Sequence, residues 1–264
     1  MKFITMPLQL IWRIWFYILV FVTLIIFFPF LLIATSKESY YAGFWWLIRK
    51  WCFIVLYGSG FRLKIEREEE LDRNKSYMFC PNHASIMDGF VLTILSKNPI
   101  VFVGKKELSR LPVFGFFYKR AVIMVDRSDA ESRKKVYEQA KRKLKNGNSI
   151  AIFPEGLVPT ENIVLAPFKN GAFSLSIEHQ IPIVPHIYYD CKRLFSWNVF
   201  KGHPGVFRVK QCKFINTQNL TMNDKDDLKE KTYNLIYNEL INDELYMKDT
   251  NRIGNDKKYK SRLS

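Results

Sequence analysis

Residues 77–89 read YMFCPNHASIMDG. The apolar run Tyr77 to Cys80 has the length of a buried strand. Ser85, with Asp88 three residues later, matches the start of a helix, so Asn82 and His83 fall on the lead-in between strand and helix. Runs of the same kind recur at 100–103, 121–125, 149–153, 183–187 and 206–215, alternating with helix-like segments. This alternation predicts an α/β domain with a largely parallel mixed sheet flanked by helices.

The polar residues that stand out follow these runs: Asn82-His83, Lys105, Asp126-Arg127 and Pro154-Glu155-Gly156. Ligands of open α/β sheets bind beyond the carboxyl ends of the strands, so these segments are expected to converge. On an unbroken helix His83 and Asp88 would stand ~140° apart, so they can meet only if His83 precedes the first turn. A carboxylate on one imidazole nitrogen would leave the other as a general base. Spacing leaves that reading and a capped helix with an incidental histidine equally open.

Working toward the N-terminus, residues 14–34 (IWFYILVFVTLIIFFPFLLIA) carry no charge, which is long enough to cross a bilayer core. The run exceeds a signal-peptide core and lacks a small-x-small cleavage site. A second apolar stretch, residues 40–60, contains Arg49 and Lys50. Charges at the bilayer centre are costly, so this stretch is expected to lie shallow or to snorkel. Aromatics crowd both stretches, as at headgroup level. The predicted organisation is a membrane-embedded helical hairpin (1–60), an α/β domain (61–220), and a C-terminal helix with a basic tail (221–264).

The helix predicted over 129–146 has Ser128 and Glu131 as a capping box and a basic face of Arg133, Lys134, Lys135, Lys141, Arg142, Lys143 and Lys145. That face reads as a solvated surface or as a dock for an acidic partner or anionic lipid. Lys+Arg total 40 against 25 Asp+Glu, a net charge of +15, which favours an anionic partner without choosing one. Cys52, Cys80, Cys191 and Cys212 lack metal-ligand or disulfide spacing and read as buried thiols; no metal site is expected.

The chain resembles the glycerolipid acyltransferases of the 1-acylglycerol-3-phosphate O-acyltransferase type. Residues 82–88 fit their N-H-x-x-x-x-D block. Gly104-Lys105-Lys106-Glu107-Leu108 with Pro112, Gly115 and Asp126-Arg127 is similar to the second block. Phe153-Pro154-Glu155-Gly156 with residues 167–172 resembles the third, and Ile183-Val184-Pro185 the fourth. The resemblance covers roughly residues 60–215.

It implies that His83 deprotonates an acceptor hydroxyl and that Asp88 holds the imidazole. It implies that Lys105, Arg127 and Lys169 bind the acceptor's phosphate, while Glu155 and Gly156 shape its pocket. The donor would be acyl-carrier protein or a coenzyme A thioester, with no cofactor, at a membrane and on its cytoplasmic side. Ser85 is better used as a cap than as a nucleophile. Where the family commonly continues its third block with Thr-Arg, this chain has Leu157-Val158, so a lyso-aminolipid or another monoacylated polar lipid rivals lysophosphatidic acid as acceptor. A nucleic-acid or anionic-lipid binding protein would account for the charge but not for the four ordered blocks, and no nucleic-acid partner is expected.

Overall fold

The computed structural model describes residues 2–110, 114–126, 129–160 and 162–248. The chain runs α1 (Lys2–Ala34), α2 (Tyr41–Gly58), β1 (Arg62–Arg67), β2 (Met78–Pro81), α3 (Met87–Leu95), β3 (Ile100–Lys105), α4 (Phe114–Ala121) and β4 (Ile123–Val125). It continues through α5 (Ala130–Lys145), β5 (Ser149–Ala151), α6 (Gly171–Glu178), β6 (Ile183–Tyr188), α7 (Cys191–Leu194), β7 (Val206–Gln211), α8 (Lys225–Asn242) and α9 (Glu244–Lys248). The sheet order is β1-β7-β6-β2-β5-β3-β4, and every pairing is parallel except β6 with β7. This is the largely parallel mixed sheet expected.

Successive side chains of a strand leave on opposite faces, and the cores sort accordingly. Met78, Cys80, Ile150, Ile183 and Ile187 enter one apolar layer, against α5, α6 and α8. Tyr77, Phe79, Ala151, Val184 and Tyr188 enter the other, together with Phe16, Trp45, Val55, Val91 and Leu92 from α1, α2 and α3. Most of the hairpin covers this second face, while Leu31, Ala34, Tyr41 and Phe44 around its turn join the first layer, and packing continues across residue 60.

Strand β1 was not expected. Four of its six residues are charged (RLKIER) and most of them are exposed. As an edge strand paired only with β7, it shows no apolar alternation, and charge suits an edge that must not recruit another strand. The run at 206–215 also divides: β7 ends at Gln211, and Ile215 returns as an isolated antiparallel bridge to Ile183.

Along α1, Arg13, Phe16, Thr23, Leu31 and Ala34 are buried, spaced by whole numbers of helical turns to within a residue. Ile11, Ile14, Ile18, Phe21, Ile25 and Ile33 face outward and exposed. Phe16 lies 4.5 Å from Phe195 and Phe28 lies 5.4 Å from Phe117, so both halves of α1 rest on the α/β domain. The tryptophans Trp12 and Trp15 donate to the Ser59 and Gly58 carbonyls at the end of α2, each at 2.9 Å. Gly58 permits this approach, because a Cβ there would stand 2.7 Å from Leu19 Cδ2.

Two expectations need correction. Arg49 does not reach for headgroups: its guanidinium donates to the Thr93 and Ile94 carbonyls at 3.2 and 3.1 Å. These lie in the last turn of α3, where a cation offsets the helix dipole. Only Lys50 faces outward, over the Trp46 ring at 5.5 Å. On α5 the N-cap is Asp129, which accepts from the Glu131 N–H, while Ser128 lies outside the described residues. Nor is the basic face of α5 wholly solvated: Lys143 is buried, pairs with Glu38 at 2.8 Å and caps the Tyr41 ring, tying α5 to the turn of the hairpin. The basic tail lies outside the described residues.

Candidate active site

β2 is central, with β6 on one side and β5 on the other. The chain leaves its carboxyl end through Asn82, whose side chain accepts from the Tyr188 N–H at 2.8 Å and donates to the Tyr188 carbonyl. This fastens the lead-in to β6 before α3 begins, so His83 sits ahead of the helix, as meeting Asp88 requires.

His83 Nδ1 lies 2.8 Å from Asp88 Oδ2. The same oxygen accepts the Ala84 and Ser85 N–H groups at 2.6 and 2.8 Å. Asp88 is fully buried, whereas the His83 side chain keeps 23% of its surface open. The ring stacks on Phe153, centroids 4.2 Å apart and 22° between planes. With Nδ1–H held by the carboxylate, Nε2 carries the lone pair. The arrangement can accept a proton at one accessible atom and stabilise the resulting imidazolium.

Glu155 follows β5 and is also buried. Its Oε1 accepts the His83 N–H at 2.5 Å and its Oε2 the Ala166 N–H at 2.7 Å. Burial pushes this carboxyl up to about 8, and the two N–H groups oppose that rise. Each oxygen thus holds a backbone N–H, and Glu155 braces the His83 lead-in against the 153–166 segment. Gly156 takes φ +74°, a left-handed conformation that glycine adopts without steric cost, which turns the chain after Glu155.

Lys105 ends β3 and is exposed. Strand spacing sets it ~10 Å to the side of β2, two strands along the same edge. Lys169 is exposed, and its N–H donates to the Pro154 carbonyl at 2.8 Å, which pins it beside Glu155. Arg127 and Pro112 lie outside the described residues. Leu157, in the place where the resemblance expects a polar residue, is exposed.

A covalent nucleophile finds little support here. Ser85 Oγ donates to the Phe195 carbonyl at 2.7 Å and accepts the Met87 N–H at 3.3 Å, so it is tied to backbone; the N-cap position of α3 is Ile86 rather than the Ser85 expected, because the chain turns one residue later. All four cysteines are buried and free. Burial first, and then the Asp88 charge, hold the Cys191 thiol well above its usual range, while burial pushes Cys212 up to about 12. Reading the chain linearly missed the Phe153 stack, the N–H groups on Asp88 and the bracing role of Glu155. Only the apolar residue preceding Pro154 in the third block hinted at the first.

The Acyltransferase family profile matches residues 62–189. An uncharacterised acyltransferase of Schizosaccharomyces pombe is 31% identical over 69% of this chain and 66% of its own length. A 1-acyl-sn-glycerol-3-phosphate acyltransferase of Limnanthes douglasii is 29% identical over 75% of this chain and 70% of its own. One from Saccharomyces cerevisiae is 30% identical over 65% of this chain and 57% of its own. The crystal structure of the 1-acyl-sn-glycerophosphate acyltransferase of Thermotoga maritima superposes with a TM-score of 0.72, covering 89% of this chain and 96% of that one at 17% identity, which shows a common fold.

Proposed function

The chain belongs to the 1-acyl-sn-glycerol-3-phosphate O-acyltransferase family of glycerolipid acyltransferases, and on that premise we propose that it acylates lysophosphatidic acid to phosphatidic acid in phospholipid biosynthesis. The observation that carries the reading is the 2.8 Å His83–Asp88 contact, with the second imidazole nitrogen accessible.

His83 Nε2 takes the proton of the acceptor hydroxyl as its oxygen attacks the thioester carbonyl. The C–S bond then breaks, and the thiolate leaves with the proton from the imidazolium. The products are the ester and the free carrier thiol, and the step balances without a cofactor. Asp88 holds the tautomer and stabilises the charged ring. Lys105, Lys169 and Arg127 supply cations for the phosphate. The donor is an acyl thioester of acyl-carrier protein or coenzyme A, and a donor of this kind supports a site facing the cytoplasm.

The protein is membrane-associated, and α1 is the element that holds it there. Because α1 lies against the α/β domain in both halves while its outer stripe is apolar, it fits a helix lying in one leaflet better than one standing upright through both. Leu157-Val158 favours a second reading, acylation of a monoacylated polar lipid without a phosphomonoester. The test is acyl transfer by purified protein in lipid nanodiscs across a panel of lysolipids with both donors. Phosphatidic acid formed from lysophosphatidic acid is the expected product; transfer only to phosphate-free acceptors would replace the first reading with the second.

A further inference from the structure

The loop between α7 and β7 carries three uncovered apolar side chains in four residues: Trp197, Val199 and Phe200 are 66%, 40% and 44% exposed. Its backbone is nevertheless held at both feet. The guanidinium of Arg13, a buried residue of α1, donates through Nη2 to the carbonyls of Ser196, Asn198 and Lys201 at 2.9, 3.4 and 2.8 Å and lies 3.9 Å over the Phe195 ring. On the other side Ser85, inside the His83–Asp88 turn, donates to the Phe195 carbonyl. Lys64, Arg193 and His203 line a groove at the foot of the loop.

A loop with exposed aromatics at its tip, fixed rather than loose, needs a partner that accepts tryptophan and phenylalanine without a shaped pocket. The headgroup layer of a bilayer does so. Continuity supports this occupant, because the loop hangs on the same helix whose outward stripe is apolar, and the exposed Lys64 at its foot suits anionic lipid. We infer that residues 196–201 form a second membrane contact, dipping Trp197 and Phe200 into the lipid interface beside α1. This inference rests on the membrane reading of α1. Because Ser85 couples the loop to the base, the contact would hold the mouth of the His83 site at the surface from which a lysolipid hydroxyl arrives.

The test uses the full chain in vesicles of phosphatidylcholine and phosphatidylglycerol in equal parts. Since the native cysteines are buried, a polarity-sensitive fluorophore can be directed to Trp197→Cys, with Phe200→Cys as a second position should the first fold poorly. Ile18→Cys on the outer stripe of α1 and Gln218→Cys in the loop before α8 are the references. A nitroxide placed just below the headgroups should quench the Trp197 and Ile18 labels roughly threefold or more over the Gln218 label, with matching protection from aqueous iodide. Quenching at Ile18 but not at 197 or 200 would overturn the loop contact and leave the membrane role of α1 intact. Quenching at none of them would overturn both.

Discussion

The first turn of α3 and the segment after β5 each bury an acidic side chain, Asp88 and Glu155, and the two are deployed differently. Asp88 gathers a histidine ring and two N–H groups on one oxygen, all from residues within five positions of itself. Glu155 gives each oxygen to one backbone N–H, and the partner of Oε1, His83, is 72 residues away. The first therefore acts on the imidazole that the proposed mechanism uses as base, and the second on the position of the chain that carries it. The same side-chain type at the same depth orients a histidine ring in one case and braces backbone in the other.

The sharpest way to break this contrast is at the base. His83→Ala is expected to lower kcat by about 10³-fold or more, and Asp88→Asn by roughly 10² to 10⁴-fold, with folding and membrane attachment retained. Single-turnover acyl transfer and far-UV circular dichroism would check both, and near wild-type turnover by His83→Ala would remove it as the base.

Glu155→Ala should show the opposite signature, because it strands two buried N–H groups at about 1 to 3 kcal/mol each. A clear drop in Tm is expected along with the loss of activity. Turnover lost at unchanged Tm would instead make Glu155 a ligand group and dissolve the comparison.

The cations come next. Arg127→Ala should reduce kcat/KM for lysophosphatidic acid by roughly 10 to 100-fold, and Lys105→Ala or Lys169→Ala by about tenfold each, with far smaller losses on a phosphate-free acceptor. Equal losses on both acceptors would exclude them as phosphate ligands.

The smallest effect is a pH slope. Burial raises the Glu155 carboxyl from its ordinary 4.5 to about 8, so the folded state holds its proton more tightly than the unfolded chain. Stability from this group is fully present below 4.5 and is lost as pH rises toward 8, by on the order of 1 kcal/mol per pH unit. Subtracting the Tm of Glu155→Gln at each pH isolates it from His186, whose burial lowers its pKa to about 4. That histidine gives the reverse slope, with stability lost as pH falls from 6.5 toward 4. A difference that stays flat from pH 5 to 8 would mean that Glu155 is an ordinary carboxylate held by its two N–H groups.

What the linear sequence determined about this protein is what short chain distances enforce. The continuous apolar runs at 77–80, 100–103 and 183–187 have the length of buried strands whichever way the sheet is wound, and the short lead-in before α3 permits His83 to meet Asp88 because only a few bonds intervene. The apolar length of α1 is likewise local, an uncharged run that needs no partner to be recognised, whereas which of its faces turns outward was decided by packing. What tertiary structure decided involves partners that packing alone introduces. It placed Arg49 on the last carbonyls of α3 instead of among headgroups, Lys143 on Glu38 across the hairpin turn, and β1 beside β7 despite its charge. It also brought Glu155 under His83 and the 196–201 loop onto Arg13. A carboxylate or guanidinium that must be buried takes whatever donors or carbonyls the folded layers bring within reach, and residues tens of positions apart carry no periodic signature of that encounter.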